Sequence, residues 1–490
     1  MTRKPLITAL ALGSATLAGG ASLDFDPAQY SEKTATVNGE TITYRAYENI
    51  PYVANPVDAA HQTINIYIPA AYYNGGSING YTAASAPIYL PNQIGGYMPA
   101  SAGVPGASGF GPKKEGADAM QTALAKGYIV ASPGARGRTS ADGKAPAAII
   151  DLKAAVRYLK HNDANMAGDA GKIISNGTSA GGALSILLGA SGNAPDYDAA
   201  LKTLGAADAP DDIYAVSAYC PISILDHADS AYEWEFHGVN DYEKIDARQV
   251  DYHVERQLQK GTLSAAEQQT SADLKAQFPA YLNSLNLKNA DGTPLTLDAD
   301  GNGSFRDAVA AYLGKSAETA LKNGQTTAAQ LAAEHPWLTL NSDRVTAVDF
   351  AAYAKTVGRQ KTPPAFDALD LSSGENQLFG SASEDKRHFT AYSQAHSSIT
   401  GAGMADAATI KQMNPLHYIN GDTAPQHWRI RVGTADRDTS HAIAVILASK
   451  LADSGKTVDL AMPWQVPHSG DYDLDELFAW MDSVVKNGRP

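Results

Sequence analysis

Ser179 stands in Gly177-Thr-Ser-Ala-Gly181, a G-x-S-x-G run that directly follows Ile173-Ile174, whose β-branched side chains suit a buried strand. A serine hydroxyl is a weak nucleophile at neutral pH. It needs a histidine to take its proton and a carboxylate to orient that histidine. A strand that turns sharply at the serine and passes at once into a helix exposes Oγ for attack, and glycines flank it because side chains there would clash. An ordinary glycine-rich turn is the competing reading of these five residues taken alone. The partners must follow in the order acid, then base, each just past a late strand. Of the twelve histidines, His468 meets that requirement, in a Pro467-His-Ser-Gly-Asp471 loop after the strand-like residues 458–462. Asp436 follows the strand-like residues 428–432, with Asp438 two residues on; either could instead cap the helix beginning near Thr439. Asp436, nearer the strand, is the expected triad acid, which leaves Asp438 to face the substrate. Acyl transfer also needs backbone donors for the developing oxyanion. The Ala180 amide is one. The second is expected from Gln93-Ile-Gly-Gly-Tyr97, at Gly96 or, alternatively, Gly95. This chemistry calls for no metal and no cofactor.

The elements that must position these groups are legible in the periodicity. Strand-like runs at residues 64–68, 86–90, 127–131, 172–174, 213–217, 428–432 and 458–462 alternate with helical patterns at 116–125, 148–160, 182–188, 441–451 and 474–485. Two further alternating runs flank Asn38-Gly39, a strong hairpin signal. The pattern predicts an α/β fold with a doubly wound, mainly parallel sheet and the opening hairpin as an antiparallel edge. Between about residues 222 and 412 the alternation stops and the chain becomes polar and helix-rich, most clearly at 257–282 and 304–321. The expected division is a core of residues 22–222 and 412–490 with an inserted, mostly helical domain at 223–411. Such an insertion overhangs the carboxyl ends of the strands, where ligands bind in open α/β sheets, and is expected to act as lid and substrate wall.

A net charge of −14, without any run of basic residues, argues against nucleic acid or an anionic membrane as partner. Met1-Thr-Arg-Lys-Pro5, an uncharged apolar stretch at 6–18 and Gly19-Gly-Ala21 read as a signal peptide over residues 1–21, and therefore as a secreted or periplasmic protein. No later apolar run is long enough to span a bilayer. Cys220 is the single cysteine, so no intrachain disulfide forms, and its apolar setting predicts a small buried side chain. Asp298-Ala-Asp-Gly-Asn-Gly-Ser-Phe305 matches the first part of a calcium loop, with Asp298, Asp300 and Asn302 as oxygen ligands. The twelfth position, however, is Val309 instead of Glu, which favours a plain tight turn.

Several segments together resemble the bacterial tannases (tannin acyl hydrolases), galloyl esterases of the α/β-hydrolase fold. They are Pro91-Asn-Gln-Ile-Gly-Gly-Tyr-Met98, Ala135-Arg-Gly-Arg-Thr139, Asn176-Gly-Thr-Ser-Ala-Gly-Gly182, Ala215-Val-Ser-Ala-Tyr-Cys-Pro-Ile222, His227-Ala-Asp229, Ala231-Tyr-Glu-Trp234, Pro364-Ala-Phe-Asp-Ala-Leu-Asp-Leu371, Asp436-Arg-Asp-Thr-Ser440 and Pro467-His-Ser-Gly-Asp-Tyr-Asp-Leu-Asp475. The resemblance implies Ser179, Asp436 and His468 as triad, in agreement with chain order. It also implies Lys361, Glu375 and Asp438 as the residues that hold the galloyl hydroxyls, which chain order alone does not supply. The implied substrates are small-molecule galloyl esters, tannins and their depsides. The fungal pattern, with a disulfide beside the serine and histidine, is absent. A feruloyl or general phenolic-ester hydrolase is the near alternative. A non-catalytic binding protein on the same scaffold is the remote one, since such proteins usually lose a triad member.

Overall fold

The computed structural model describes residues 20–107, 115–250, 253–419 and 421–487. All but Gly20 and Ala21 of the expected leader lies outside them. The strands are β1 (Ser31–Val37), β2 (Glu40–Pro51), β3 (Thr63–Pro69), β4 (Pro87–Pro91), β5 (Ile129–Pro133), β6 (Asp169–Thr178), β7 (Ala215–Tyr219), β8 (Asp241–Val250), β9 (His253–Thr262), β10 (Leu338–Asn341), β11 (Arg344–Val348), β12 (His427–Arg431) and β13 (Thr457–Ala461). Nine of them form one sheet in the order β1-β2-β3-β5-β4-β6-β7-β12-β13. β1, β2 and β3 run antiparallel to their neighbours, and every pairing from β5 to β13 is parallel. The chain thus has the α/β-hydrolase fold, with the Asn38-Gly39 hairpin at its edge. β3, β4, β5, β7 and β12 are buried at every residue, as strands covered by helices on both faces must be. Each is therefore a run buried on both faces, without a solvent-facing polar side.

β12 carries two buried arginines within such a run. Arg429 is fully buried, pairs with Asp473 and donates to the Tyr219 hydroxyl at 3.1 Å. Arg431 pairs with Asp459 on β13 at 3.0 Å. A buried cation is tolerated because it is paired and hydrogen-bonded, and Arg429 thereby anchors the segment just after His468.

The segment between β7 and β12 holds helices at Leu225–Phe236, Ala265–Ser284, Ser304–Lys322, Phe350–Val357 and Gly374–Leu378, among shorter ones. It also holds two hairpins, β8–β9 and β10–β11. The expected helix over 257–282 is corrected at its start. Residues up to Thr262 belong to β9, and the helix begins only after Ser264, whose side chain caps Glu267 in a capping box. Leu258 pairs with Ile245 across the hairpin, and both are exposed, so no core-facing stripe distinguished strand from helix there. The buried apolar residues of the insertion, including Trp234, Phe278 and Phe305, join the same hydrophobic cluster as the sheet. Among the described residues no helix is long and apolar enough to cross a membrane.

Candidate active site

β6 runs straight into Ser179, and the helix Ala180–Ala190 starts at the next residue. Ser179 has φ +61° and ψ −120°, in the left-handed half of backbone space that L-residues avoid. The surrounding packing enforces it. A Cβ on Gly177 would lie 2.2 Å from the Gly181 carbonyl oxygen, and one on Gly181 would lie 2.4 Å from Asn92 Oδ1. The Ser179 amide donates to the Tyr219 carbonyl at 3.0 Å and its own carbonyl accepts from Ile222 at 3.2 Å, so the turn is stitched to the end of β7.

His468 reaches Ser179 from the loop after β13. Its Nε2 is 2.9 Å from Ser179 Oγ, and its Nδ1 is 2.8 Å from Asp436 Oδ2. Both distances permit the arrangement a general base requires, with Nδ1–H donating to Asp436 and Nε2 accepting from the hydroxyl. The loop is held from three directions. Asn176 Nδ2 donates to Asp471 Oδ1 at 2.9 Å, and Asp473 receives Arg429 and, at 2.5 Å, the Tyr219 hydroxyl. Gly470 lies so close to β6 that a Cβ would meet Thr178 Oγ1 at 1.9 Å. The Pro467–Asp475 sequence thus docks the histidine loop onto the end of β6.

Asp436 is fully buried. Burial pushes its carboxyl up, but His468, the Asp438 amide (2.9 Å from Oδ1) and His441 together hold it below the ordinary range, so it is ionised. His468 is pulled down by burial and up by Asp436 and then Asp438; the carboxylates win and its pKa stands well above the usual value. Asp438 Oδ2 is 3.2 Å from the same Nε2 that faces Ser179. The two aspartates therefore sit on opposite nitrogens of one imidazole.

The Gln93–Tyr97 loop is zipped to the elbow. Gly181 N donates to the Ile94 carbonyl at 3.1 Å, and Asn92 bridges the Gly181 carbonyl (3.0 Å) and the Ile94 amide (3.2 Å). Arg138 Nε donates to the Gly96 carbonyl at 2.8 Å, and the Tyr97 hydroxyl to the Ile222 carbonyl at 2.8 Å. Neither the Ala180 nor the Gly96 amide donates to another group among the described residues.

Lys361 and Glu375 come from the segment between β7 and β12. Lys361 is partly buried, its Nζ 4.1 Å from the Phe366 ring centre, and its amide donates to the Tyr232 hydroxyl at 3.1 Å. Glu375 opens the short helix Gly374–Leu378, where its charge acts on Tyr97 and Arg138, beside the Gly96 loop.

What residue-by-residue reasoning missed is the support beneath them. Four buried polar side chains of the helix Leu225–Phe236 bind segments distant in sequence. Asp229 accepts from Phe366 N at 2.6 Å; Tyr232 donates to the Arg437 carbonyl at 2.8 Å. Glu233 forms a fully buried pair with Arg359 at 2.5 Å. Glu235 accepts from Ser440 Oγ, His441 N and His441 Nδ1, each at 2.8 Å. Asp367 in turn gathers Asn376 Nδ2, His388 Nδ1, Phe389 N and Thr390 N, which fixes the segment leading to Glu375. Asp229 lies near Asp367, and burial together with that neighbour pushes its carboxyl well above the usual range. The available signal was polar residues at 229, 232 and 233, one helical face, set among Ala228, Ala231 and Trp234.

Cys220 is buried with φ +37°, its Sγ 3.4 Å from the Ser469 carbonyl and 4.0 Å from His468 Nε2. Burial raises its thiol pKa, so it is a poor nucleophile. Among the described residues the one group of donors close enough to share a metal is Cys220, Asp436 and His468, and there Asp436 already pairs with Nδ1. In the 298–305 loop Asp298 Oδ1 accepts the amides of Asp300 and Asn302, and Arg306 occupies Asn302 Oδ1. These oxygens close a tight turn.

A family model described as BD-FAE matches residues 87–259. A Fusobacterium nucleatum tannase structure is 49% identical, with TM-score 0.90, covering 95% of this chain and 99% of its own. A tannase from Lactobacillus plantarum is 46% identical, with TM-score 0.89, over 95% and 100%. A tannin acyl hydrolase in complex with ethyl gallate is 47% identical, with TM-score 0.88, over 94% and 99%. No curated protein matches. The chain belongs to the tannase family. It is accordingly a carboxylic ester hydrolase, and the tannase likeness spans sheet and insertion alike.

Proposed function

We propose that the protein hydrolyses galloyl esters of tannins and simple gallates, with Ser179 as nucleophile. The observation that carries this reading is the unbroken hydrogen-bond chain from Ser179 Oγ through His468 to Asp436, in a chain similar to a tannin acyl hydrolase that binds ethyl gallate. His468 takes the Ser179 proton as Oγ attacks the ester carbonyl. The oxyanion meets the Ala180 amide and that of Gly96 or, alternatively, Gly95. His468 then protonates the departing alcohol, and water, activated by the same imidazole, releases gallic acid from the galloyl-serine.

Selectivity is assigned to Lys361, Glu375 and Asp438. Three adjacent phenol hydroxyls both donate and accept; two carboxylates and one ammonium offer the complementary set, in charge-assisted bonds. Asp438 lies within reach of His468 Nε2, so a ring hydroxyl that engages it also draws its charge from the base. The insertion, residues 223–411, serves as substrate wall, and the leader at 1–21 directs the protein out of the cytoplasm. The test is labelling with a fluorophosphonate probe alongside methyl gallate turnover. Both must vanish in Ser179→Ala; labelling or turnover that persists there rejects Ser179 as nucleophile.

A further inference from the structure

Tyr232 has no place in the chemistry above, yet its hydroxyl is buried where catalytic and recognition segments meet. It donates to the Arg437 carbonyl at 2.8 Å and accepts from the amides of Gln360 and Lys361, each at 3.1 Å. One donor and two acceptor sites are all a phenol has, so its capacity is full. The carbonyl it holds belongs to the peptide joining Arg437 to Asp438, and the N–H of that same peptide donates to Asp436 Oδ1 at 2.9 Å. Asp436 Oδ2 in turn pairs with His468 Nδ1 at 2.8 Å. A single hydrogen-bonded chain therefore runs from the Lys361 backbone, through Tyr232 and the Arg437–Asp438 peptide, to the catalytic histidine. Arg359 adds a second hold on the lysine segment, donating from NH1 to the Lys361 carbonyl at 3.2 Å.

We propose that Tyr232 is the positioning residue that sets Lys361 and Asp438 in register with the Asp436–His468 pair, so that ring recognition and carbonyl attack occur in one substrate pose. This rests on Lys361 and Asp438 being the residues that hold the galloyl hydroxyls. The geometry favours register over mere support because the one hydroxyl bonds at once to the lysine segment, at Gln360 and Lys361, and to the acid loop after β12, at Arg437. A displacement of about 1 Å at such a joint costs on the order of a hundredfold in a well-positioned reaction.

The test is Tyr232→Phe, alone and with Lys361→Ala, assayed on methyl gallate and on methyl benzoate, which lacks the ring hydroxyls. Tyr232→Phe is expected to lower kcat/KM for methyl gallate by about tenfold to a hundredfold, since it leaves buried amides and a carbonyl unpaired. Methyl benzoate turnover and Ser179 labelling should fall by less than about threefold. In the Lys361→Ala background the same change should cost methyl gallate clearly less than it costs alone, because one of the two residues it positions is gone. Equal losses on both substrates, or full additivity with Lys361→Ala, overturn the proposal. If Lys361→Ala and Asp438→Ala themselves leave the gallate-to-benzoate ratio unchanged, the recognition reading has failed instead. Should Tyr232→Phe not fold, Tyr232→His, whose ring is too short to keep all three bonds, goes through the same cycle and is judged by the same outcomes.

Discussion

The pair Glu235–His441 offers a test in which magnitude and sign both follow from the structure. His441 is fully buried, with Nδ1 on Glu235 and Nε2 on the Gly433 carbonyl at 2.9 Å. Burial pulls its pKa down, but Glu235 outweighs that and raises it from 6.5 to about 9. Its folded pKa is raised, so the stability it contributes is fully present below the unfolded value and is lost as pH rises through about 9. That shift corresponds to about 3 kcal/mol. Glu235→Gln keeps the shape but removes the charge and one strong acceptor. At pH 6 it should destabilise by about 3–5 kcal/mol, the usual cost of breaking a buried pair. Between pH 6 and pH 10 the gap between wild type and variant should narrow by about 3 kcal/mol, as the wild-type imidazolium loses its proton and the two proteins become alike. Thermal and denaturant unfolding of both proteins across this range measure it, and taking the difference removes the titration of lysines and tyrosines common to both. A gap that stays constant with pH, or no gap at pH 6, refutes the assignment of a buried ion pair.

Three further outcomes are expected. Asp438→Asn removes one of the carboxylates that raise His468; because the base works only when neutral, the acid limb of kcat/KM should move to lower pH on an ester without ring hydroxyls, measured by a pH–rate profile. Gly470→Ala places a methyl 1.9 Å from Thr178 Oγ1; the His468 loop must move, and turnover of any ester should fall by about a hundredfold or more with the far-ultraviolet circular dichroism unchanged. Cys220→Ala removes a thiol the mechanism does not use, so methyl gallate turnover should stay within a few-fold of wild type.

Much of this was readable in the residues, for physical reasons that differ by element. β-branched runs between helical patterns gave the parallel sheet because a strand buried on both faces has no polar alternation to obscure it. Ser179, Asp436 and His468 were reachable because chain order and strand ends constrain where each can sit, and the structure brings their side chains into hydrogen-bond contact. Lys361 and Glu375 were reachable only through resemblance. They lie in an insertion whose path depends on tertiary hydrogen bonds from Asp229, Tyr232, Glu233 and Glu235. The polar helical face at 229, 232 and 233 signals such bonds but not their distant partners. The β8–β9 hairpin was missed for a related reason, since the paired Ile245 and Leu258 are exposed and mark no core-facing stripe there.

The central claim is that the chain couples serine-esterase chemistry to recognition of vicinal phenol hydroxyls. Its most direct test is the ratio of kcat/KM for methyl gallate to that for methyl benzoate with the purified mature protein, methyl ferulate serving as a third substrate. A site whose partly buried Lys361, Glu375 and Asp438 are left unpaired by the benzoate should favour the gallate by about 10⁴-fold. A ratio near one, or a preference for the ferulate, would contradict it.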